Sequence, residues 1–389
     1  MRPYGSPGLV NWQHSYINKS RFWNTRSVPP VSPHTLGQWC RIPRSNAAAH
    51  FITKRTGAHK PPHQQPCLPP QTKLLSKLPA PWVPYAELLR LHNPVGIYYL
   101  FFPCVFSTLV AASMTTPITS PGSVIGTSLL FMSGSIVMRG AGCAVNDLWD
   151  RNLDPHVART RLRPLARGAI TPFQGLMCTG FSLLAGLGIL LQFPSPCVLY
   201  GIPSLLLVAS YPLAKRITYY PQFVLGLTFS WGSLMGFPAL GLDIMSDLTI
   251  LTTAGCLYAA SVVWTILYDM VYAHLDINDD AGAGIKSIAL KHEAKTKYIL
   301  TGLAAGMVGL LAGAGVASGA GITFYITSCG GAMLTLGAMI TRVKLKNSEN
   351  IWWWFCNNCW MTGGIIGLGL AIDYGLNYTE DQSEESQLI

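Results

Sequence analysis

Long apolar runs follow one another between residues 93 and 373, with short polar stretches between them. A helix that crosses a bilayer needs about 20 predominantly apolar residues. The pattern therefore predicts an all-α, polytopic membrane protein with nine transmembrane helices. The nine predicted spans are 93–113, 123–145, 173–193, 196–213, 222–242, 248–268, 298–317, 320–341 and 351–373.

The charges of the connecting loops support this count. If the side of the N-terminal segment is called inside, the loops after the even-numbered spans carry fourteen of the sixteen Lys and Arg residues of 87–389. The opposite loops contain no basic residue, and their charges are Asp243 and Asp247. Such a split is what the positive-inside rule predicts. The two remaining basic residues are Arg90, before the first span, and Arg139, inside the second. A charge within a span is costly and predicts a function for Arg139.

The composition changes the picture at the N-terminus. Only 11% of the residues are charged, against roughly 25% in soluble domains, which excludes an ordinary soluble fold. Residues 1–86 contain eleven Lys or Arg and no Asp or Glu. This leader predicts a mitochondrial transit peptide. The alternative is a basic arm that has no targeting role. The predicted organisation is a leader with linker over 1–80, a transmembrane domain over 81–373 and an acidic tail over 374–389.

A row of carboxylates follows the second span. Asp147, Asp150 and Asp154 are spaced i, i+3 and i+7, so they share one face if the helix continues past the membrane edge. Three carboxylates so placed repel one another unless a cation lies between them. Hard oxygen ligands favour Mg²⁺, which substrate phosphates commonly complete.

A second row closes the sixth span. Asp269 and Asp276 are again spaced i and i+7, with Tyr272 on the same side. Both rows lie at the inside ends of even-numbered spans, so we expect them to face one cavity mouth. Basic residues share that side and predict a diphosphate site, where Mg²⁺ and cationic side chains hold the oxygens. The alternative to a diphosphate site is that the basic residues only set the membrane topology and that the Asp residues are helix caps. The basic residues are Arg159, Arg161, Arg163, Arg167, Lys215, Arg216 and Lys286.

With these two rows the sequence resembles the UbiA family of intramembrane prenyltransferases. The family motifs are N-D-x-x-D-x-x-x-D and D-x-x-Y-A-x-x-D, and both are complete here, from Asn146 to Asp154 and from Asp269 to Asp276. The resemblance covers about residues 80–373. It implies nine helices around a central cavity, with caps formed by the 2–3 and 6–7 loops. The sequence departs from the commonest pattern of the family at Met270, Leu275 and the pair Ile277-Asn278. The identity of the acceptor and the length of the prenyl chain are therefore left open.

Within the family, the chain is most similar to the mitochondrial branch that prenylates 4-hydroxybenzoate for ubiquinone synthesis. The resemblance implies polyprenyl diphosphate and 4-hydroxybenzoate as substrates, and the inner membrane with a matrix-facing site as the location. The lipid bilayer and other ubiquinone-synthesis proteins are the expected partners, and no nucleic acid is expected. The stretches that carry this similarity include 138–143, 211–216 and 284–287.

The resemblance also implies a role for each candidate residue. The expected Mg²⁺ ligands are Asp147, Asp150, Asp154, Asp269 and Asp276. The expected diphosphate-binding residues are Arg159, Arg163, Lys215, Arg216 and Lys286. The expected acceptor-binding residues are Asn146, Arg151, Arg139 and Tyr272.

Two other functions fit parts of the pattern. One is a prenyltransferase of secondary metabolism that acts on another phenolic acceptor, against which the acid-free leader argues. The other is an anion transporter, since nine spans and charges at a cavity could serve transport. Two acid rows at one membrane face favour the enzyme.

Overall fold

The structure of the chain is a computed structural model, and it describes residues 75–156, 160–277 and 286–388. Within those ranges the chain is helical throughout and contains no β-strand, which confirms the predicted all-α class. The helices are α1 (Val83–Leu88), α2 (Val95–Met114), α3 (Pro121–Trp149), α4 (Pro172–Leu190), α5 (Pro196–Ile217), α6 (Pro221–Phe229), α7 (Gly232–Ala239), α8 (Leu248–Tyr272), α9 (Ile288–His292), α10 (Thr296–Ser318), α11 (Gly331–Arg342), α12 (Ser348–Asn358) and α13 (Gly364–Leu388). A short turn, Ile322–Phe324, and two π-helical segments, Tyr325–Gly330 and Cys359–Gly363, join the last helices.

Proline and small polar residues begin several of these helices. Pro121 and Pro172 are the first residues of α3 and α4, where the missing N–H has no intrahelical partner to lose. The Thr171 hydroxyl accepts from the backbone N–H of Gln174, whose side chain in turn accepts from the Thr171 N–H. This reciprocal cap satisfies two otherwise unpaired donors, so α4 begins within a residue of the predicted span.

Every predicted span is helical, but the count of nine is not confirmed. Seven helical stretches within the described ranges are long and apolar enough to cross a membrane. The apolar part of α5, Pro196–Tyr211, is shorter than that limit. The fifth window is divided into α6 and α7, which meet at Ser230 and Trp231.

The shortened α7 lies unusually close to α2. A Cβ atom at Gly236 would lie 2.4 Å from the backbone of Ser107 and Thr108, and one at Gly232 would lie 2.4 Å from the Cys104 Sγ. The Ser107 hydroxyl accepts from the Gly236 N–H at 3.1 Å and donates to the Gly232 carbonyl at 2.8 Å. Glycine is therefore required at both positions, because any side chain would push the two helices apart.

The main hydrophobic core lies among α2, α8, α10 and the last helices. Its largest fully buried side chains include Trp264, Tyr99, Phe106 and Phe237. In contrast, α4 and α5 expose large apolar side chains, such as Phe173 at 70% and Leu206 at 72%. Apolar surface on this scale is costly in water, and it fits helices that face lipid.

The predicted boundary at residue 374 does not coincide with a helix end, since α13 continues from Gly364 into the acidic tail. Near its start, the tail contacts the loop between α2 and α3. The Tyr374 hydroxyl donates to the Thr119 carbonyl at 2.6 Å, and the Asp381 carboxylate accepts from the Ile118 N–H at 3.2 Å.

Candidate active site

A cavity of about 900 Å³ lies among α2 to α8 and α12. It extends from Asp147 to Phe131 along α3, which is roughly 24 Å at 1.5 Å per residue. Polar side chains gather near Asp147, whereas the far part is lined by Leu, Ile, Val and Phe. The polar residues that line this end include Arg90, Asn93, Arg139, Asn146, Asp147, Arg163, Asp269 and Tyr272. The combination fits a ligand with a charged head and a long apolar tail.

The apolar part of the cavity opens sideways. Leu184 of α4 and Ile202 of α5 both line it, yet they are 65% and 53% exposed. Gly186 and Gly201 lie on the same two helices and also line the cavity, where they pack closely against Met138 and Leu190. An apolar chain longer than the cavity can therefore continue into the bilayer.

Asp147 is the most buried acid of the first row, with no exposed surface. The Arg90 Nη2 donates to both of its carboxylate oxygens at 2.8 Å, and the Arg163 Nη1 lies 3.1 Å from Oδ1. Arg163 also donates to both oxygens of Asp154, at 3.1 and 2.9 Å. One guanidinium thus bridges the first and last acids of the predicted row.

The helix does not continue through this row as expected. α3 ends at Trp149, and Asp150 caps it with φ −91° and ψ 5°. The chain then turns through Asp150–Asp154, because the N–H groups of Leu153 and Asp154 both donate to the Asp150 carbonyl. Asp147 and Asp154 therefore come together through Arg163, not through helical spacing.

Asp154 lies outside the membrane-spanning part of α3 and is 5% exposed. Burial raises the pKa of its carboxyl, the Arg163 guanidinium opposes that shift, and the charges of Asp147 and Asp150 add to it. A cation bound at this row would favour the ionised form of Asp154 further.

The second row is also divided by the end of a helix. Asp269 and Tyr272 line the cavity, but α8 ends at Tyr272 and a 3-10 turn, Ala273–Leu275, precedes Asp276. Asp276 lies partly exposed outside the cavity lining. Asp269 is therefore the acid of this row that faces Asp147 across the cavity, while residues 278–285 lie outside the described ranges.

Two polar side chains in α3 lack a hydrogen-bond partner among the described residues. They are Arg139, at Nε, and Asn146, at Oδ1, and both atoms are buried. The Arg139 guanidinium lies 5.8 Å from the centroid of the Phe229 ring and packs on Gly96, where a Cβ atom would clash with it. Both residues also line the cavity, although these two atoms are themselves buried.

Not all predicted residues are brought to this site. The Lys286 ammonium donates to the Ile217 carbonyl at 3.2 Å and lies 5.4 Å from the Tyr219 ring, outside the cavity lining. Arg151 is exposed and donates to the Leu148 carbonyl at 3.4 Å. Arg159 lies outside the described ranges, and α5 ends just after Lys215 and Arg216, whose side chains the structure does not describe.

Arg90 belongs to the site although no site role was predicted for it. Its only signal in the sequence is that it is one of the two basic residues that the loop charges do not explain. Its backbone is left-handed, with φ 57°, a conformation that costs a non-glycine residue about 1 kcal/mol or more. Its Nη1 donates to the Glu87 carbonyl at 2.9 Å, and Glu87 itself pairs with Arg167. These contacts connect α1 to the first acid row.

The oxygen ligands at the polar end fit Mg²⁺. No three His, Cys, Asp or Glu side chains within the described ranges converge as a complete metal cage. Mg²⁺ is usually bound by one or two carboxylates together with water and substrate phosphates, and Asp147 and Asp269 on opposite walls supply such carboxylates. Arg163 lies beside them and can contact the phosphate oxygens.

Comparison with known proteins agrees with this geometry. The model of the UbiA prenyltransferase family matches residues 100–362. The 4-hydroxybenzoate polyprenyltransferase, mitochondrial, of Saccharomyces cerevisiae is 42% identical over 303 residues, which cover 77% of this chain and 78% of the yeast protein.

Solved structures share the fold. A UbiA homolog from Aeropyrum pernix K1 in its apo form superimposes with a TM-score of 0.56 at 23% identity, covering 72% of this chain and 97% of that one. A UbiA homolog from Archaeoglobus fulgidus bound to GPP and Mg²⁺ gives a TM-score of 0.54 at 17% identity, covering 76% and 99%. The chain belongs to the UbiA prenyltransferase family.

Proposed function

We propose that this chain transfers a polyprenyl group from polyprenyl diphosphate to the ring of 4-hydroxybenzoate, in ubiquinone biosynthesis. The observation that carries the proposal is one cavity in which Asp147, Asp269 and Arg163 line a polar end that leads into an apolar channel. Its relatives support the acceptor, since the yeast protein is named for 4-hydroxybenzoate.

Mg²⁺ held by the acid rows would neutralise charge on the diphosphate and make it a better leaving group. The chain's own residues position the substrate for that step. Asp147 and Asp269 would hold the metal, and Arg163, which keeps Asp154 close to Asp147, would bind phosphate oxygens. We include Asp150, Asp154 and Asp276 in the same metal-binding set, and Arg159, Lys215, Arg216 and Lys286 in the diphosphate-binding set.

The transfer then proceeds by breaking the C1–O bond of the prenyl diphosphate. Both electrons of that bond leave with the diphosphate, and C1 becomes an allylic carbocation. A ring carbon of the acceptor supplies the electron pair for the new C–C bond. The proton lost from that carbon passes to an oxygen of the released diphosphate, which restores the aromatic ring.

The acceptor is proposed to bind beside this centre. Arg139 would pair with the carboxylate of 4-hydroxybenzoate, because it is a charged residue that lines the cavity and a guanidinium binds carboxylates well. Asn146 and Tyr272, which also line the cavity, would contact the phenol. Arg151 would assist at the mouth of the cavity, where its side chain is exposed.

The location follows from the leader and the relatives. The acid-free segment 1–86 and the mitochondrial relatives support a mitochondrial membrane protein. We place it in the inner membrane with the acid rows facing the matrix, because the basic loops lie at that end of the helices.

The test is to supply membranes containing the Asp147→Asn or Asp269→Asn variant with labelled prenyl diphosphate, 4-hydroxybenzoate and Mg²⁺. Loss of a metal-binding carboxylate should lower transfer by about 100-fold or more. Asp243→Asn is the matched control, since Asp243 lies in a loop at the other end of the helices and accepts from the Tyr200 hydroxyl. Near-normal transfer by both variants would remove the metal assignment.

A further inference from the structure

Five aromatic side chains line the cavity beside the second acid row: Tyr99, Tyr268, Tyr272, Trp352 and Phe355. We call this set the aromatic wall. It is built from three helices that are far apart in the sequence, α2, α8 and α12. The role proposed above uses only Tyr272 from this set.

Phe355 is the centre of the aromatic wall. Its ring centroid lies 4.5 Å from that of Tyr272, 5.3 Å from Tyr99 and 5.8 Å from Trp352. The Tyr99 hydroxyl donates to the Phe355 carbonyl at 2.8 Å, which ties α2 to α12 at this point. Contacts on several sides hold the Phe355 ring in place against the cavity.

The aromatic wall lies next to the position where the diphosphate leaves. Tyr272 is three residues after Asp269, so the two side chains are neighbours on one face of α8. C1 of the prenyl chain is bonded to a diphosphate oxygen until it ionises, and the carbocation must therefore form within bonding reach of that diphosphate. Because the rings of Tyr272 and Phe355 pack on each other at 4.5 Å beside Asp269, a diphosphate bound at Asp269 would bring C1 close to both rings.

Aromatic rings suit this position for two reasons. The face of a ring carries partial negative charge and attracts a cation within about 6 Å of its centroid. The ring of Phe355 also has no lone pair that could trap the carbocation. In a site that excludes water, a fixed partial charge of this kind stabilises the developing cation without rearranging.

We propose that the aromatic wall, with Phe355 at its centre, stabilises the allylic carbocation by cation–π interaction. This proposal rests on the proposed prenyl transfer and assigns a catalytic role to a residue of α12. The Phe355 ring forms no bond with the substrate. It lowers the energy of the cation while the C1–O bond is broken and the new C–C bond is not yet complete.

The test replaces Phe355 with phenylalanines that carry one, two and three ring fluorines. Fluorine withdraws charge from the ring face and changes the shape of the side chain little, so folding should be preserved. Single-turnover transfer of a labelled prenyl group to 4-hydroxybenzoate should slow progressively along the series. The complete loss of the ring in Phe355→Leu should slow it by about 3- to 30-fold, with little change in the KM for the acceptor.

Phe102 provides the matched control. It is a buried phenylalanine of α2 that contacts Trp360 and does not line the cavity. The same fluorinated residues at position 102 should leave the rate of transfer unchanged.

A flat rate across the Phe355 series, with an active wild-type chain, would overturn the role of the aromatic wall and leave the transferase function intact. A change in the acceptor KM at constant rate would overturn it too, because the wall would then be a stacking surface for the acceptor ring. A wild-type chain that fails to transfer the prenyl group would overturn the transferase function and this proposal together.

Discussion

Replacing Arg90 with glutamine should destabilise the protein even though Arg90 lies outside the membrane spans. The Arg90 side chain is 17% exposed and the Asp147 side chain only 1%, and the Arg90 Nη2 contacts both carboxylate oxygens at 2.8 Å. Removing one partner of a buried ion pair typically costs about 3–5 kcal/mol. Asp147 keeps Arg163 at 3.1 Å, so we expect a smaller loss, about 2–3 kcal/mol of the free energy of unfolding.

A double-mutant cycle measures the pair directly. The free energy of unfolding in detergent would be determined for the wild type, Arg90→Gln, Asp147→Asn and the double variant. The double variant should lose clearly less than the sum of the single losses, with a coupling energy of about 2 kcal/mol.

Arg151→Gln is the matched control for this cycle. Arg151 is exposed and its hydrogen bond to the Leu148 carbonyl is long, at 3.4 Å, so its replacement should change stability by less than about 0.5 kcal/mol. Additive losses in the cycle, within about 0.5 kcal/mol, would refute the reasoning that Arg90 neutralises the buried acid.

The remaining predictions concern the acceptor, the metal, the leader and the packing of α7. Arg139→Gln should raise the KM for 4-hydroxybenzoate about tenfold or more without changing that for the prenyl diphosphate, because a charge-assisted contact is lost; an unchanged acceptor KM would argue against that role. Chelation of Mg²⁺ should abolish transfer, and Mg²⁺ should restore it better than Ca²⁺, which prefers more ligands at longer distances; activity that survives chelation would contradict the metal requirement. Residues 1–86 fused to a reporter should direct it into mitochondria, and a cytosolic reporter would contradict the transit peptide. Gly236→Ala should lower the free energy of unfolding by about 1–3 kcal/mol, because the new Cβ atom would clash with Ser107. Gly255→Ala is the control and should not lower it, because a Cβ atom there meets nothing within 4 Å.

The apolar pattern predicted the helices well because a bilayer demands long apolar runs. It failed where a helix ends inside an apolar run that continues. α6 and α7 form one apolar window, and their division at Ser230 and Trp231 depends on how closely α7 packs on α2. The acid rows were predicted as helix faces, but α3 ends at Trp149 and α8 at Tyr272, before the rows are complete. Helical spacing cannot reveal where a chain turns.

Contacts between distant parts of the chain were the hardest features to predict. Arg90 and Asp147 are 57 residues apart, and no local pattern joins them. Phe355 follows three tryptophans in a row, which in a membrane protein first indicates an interface. Only the packing of α12 against α8 reveals that this ring faces the cavity.

The arginines around the first acid row have a consequence for the order in which ligands bind. The charges of Asp147 and Asp154 are already balanced by Arg90 and Arg163. A divalent cation entering alone would have to compete with these two guanidinium groups for the carboxylate oxygens. A cation that arrives with the diphosphate brings its own counter-charge. We therefore expect Mg²⁺ to bind weakly to the free protein and far more tightly beside the prenyl diphosphate, and each ligand must raise the affinity for the other by the same factor.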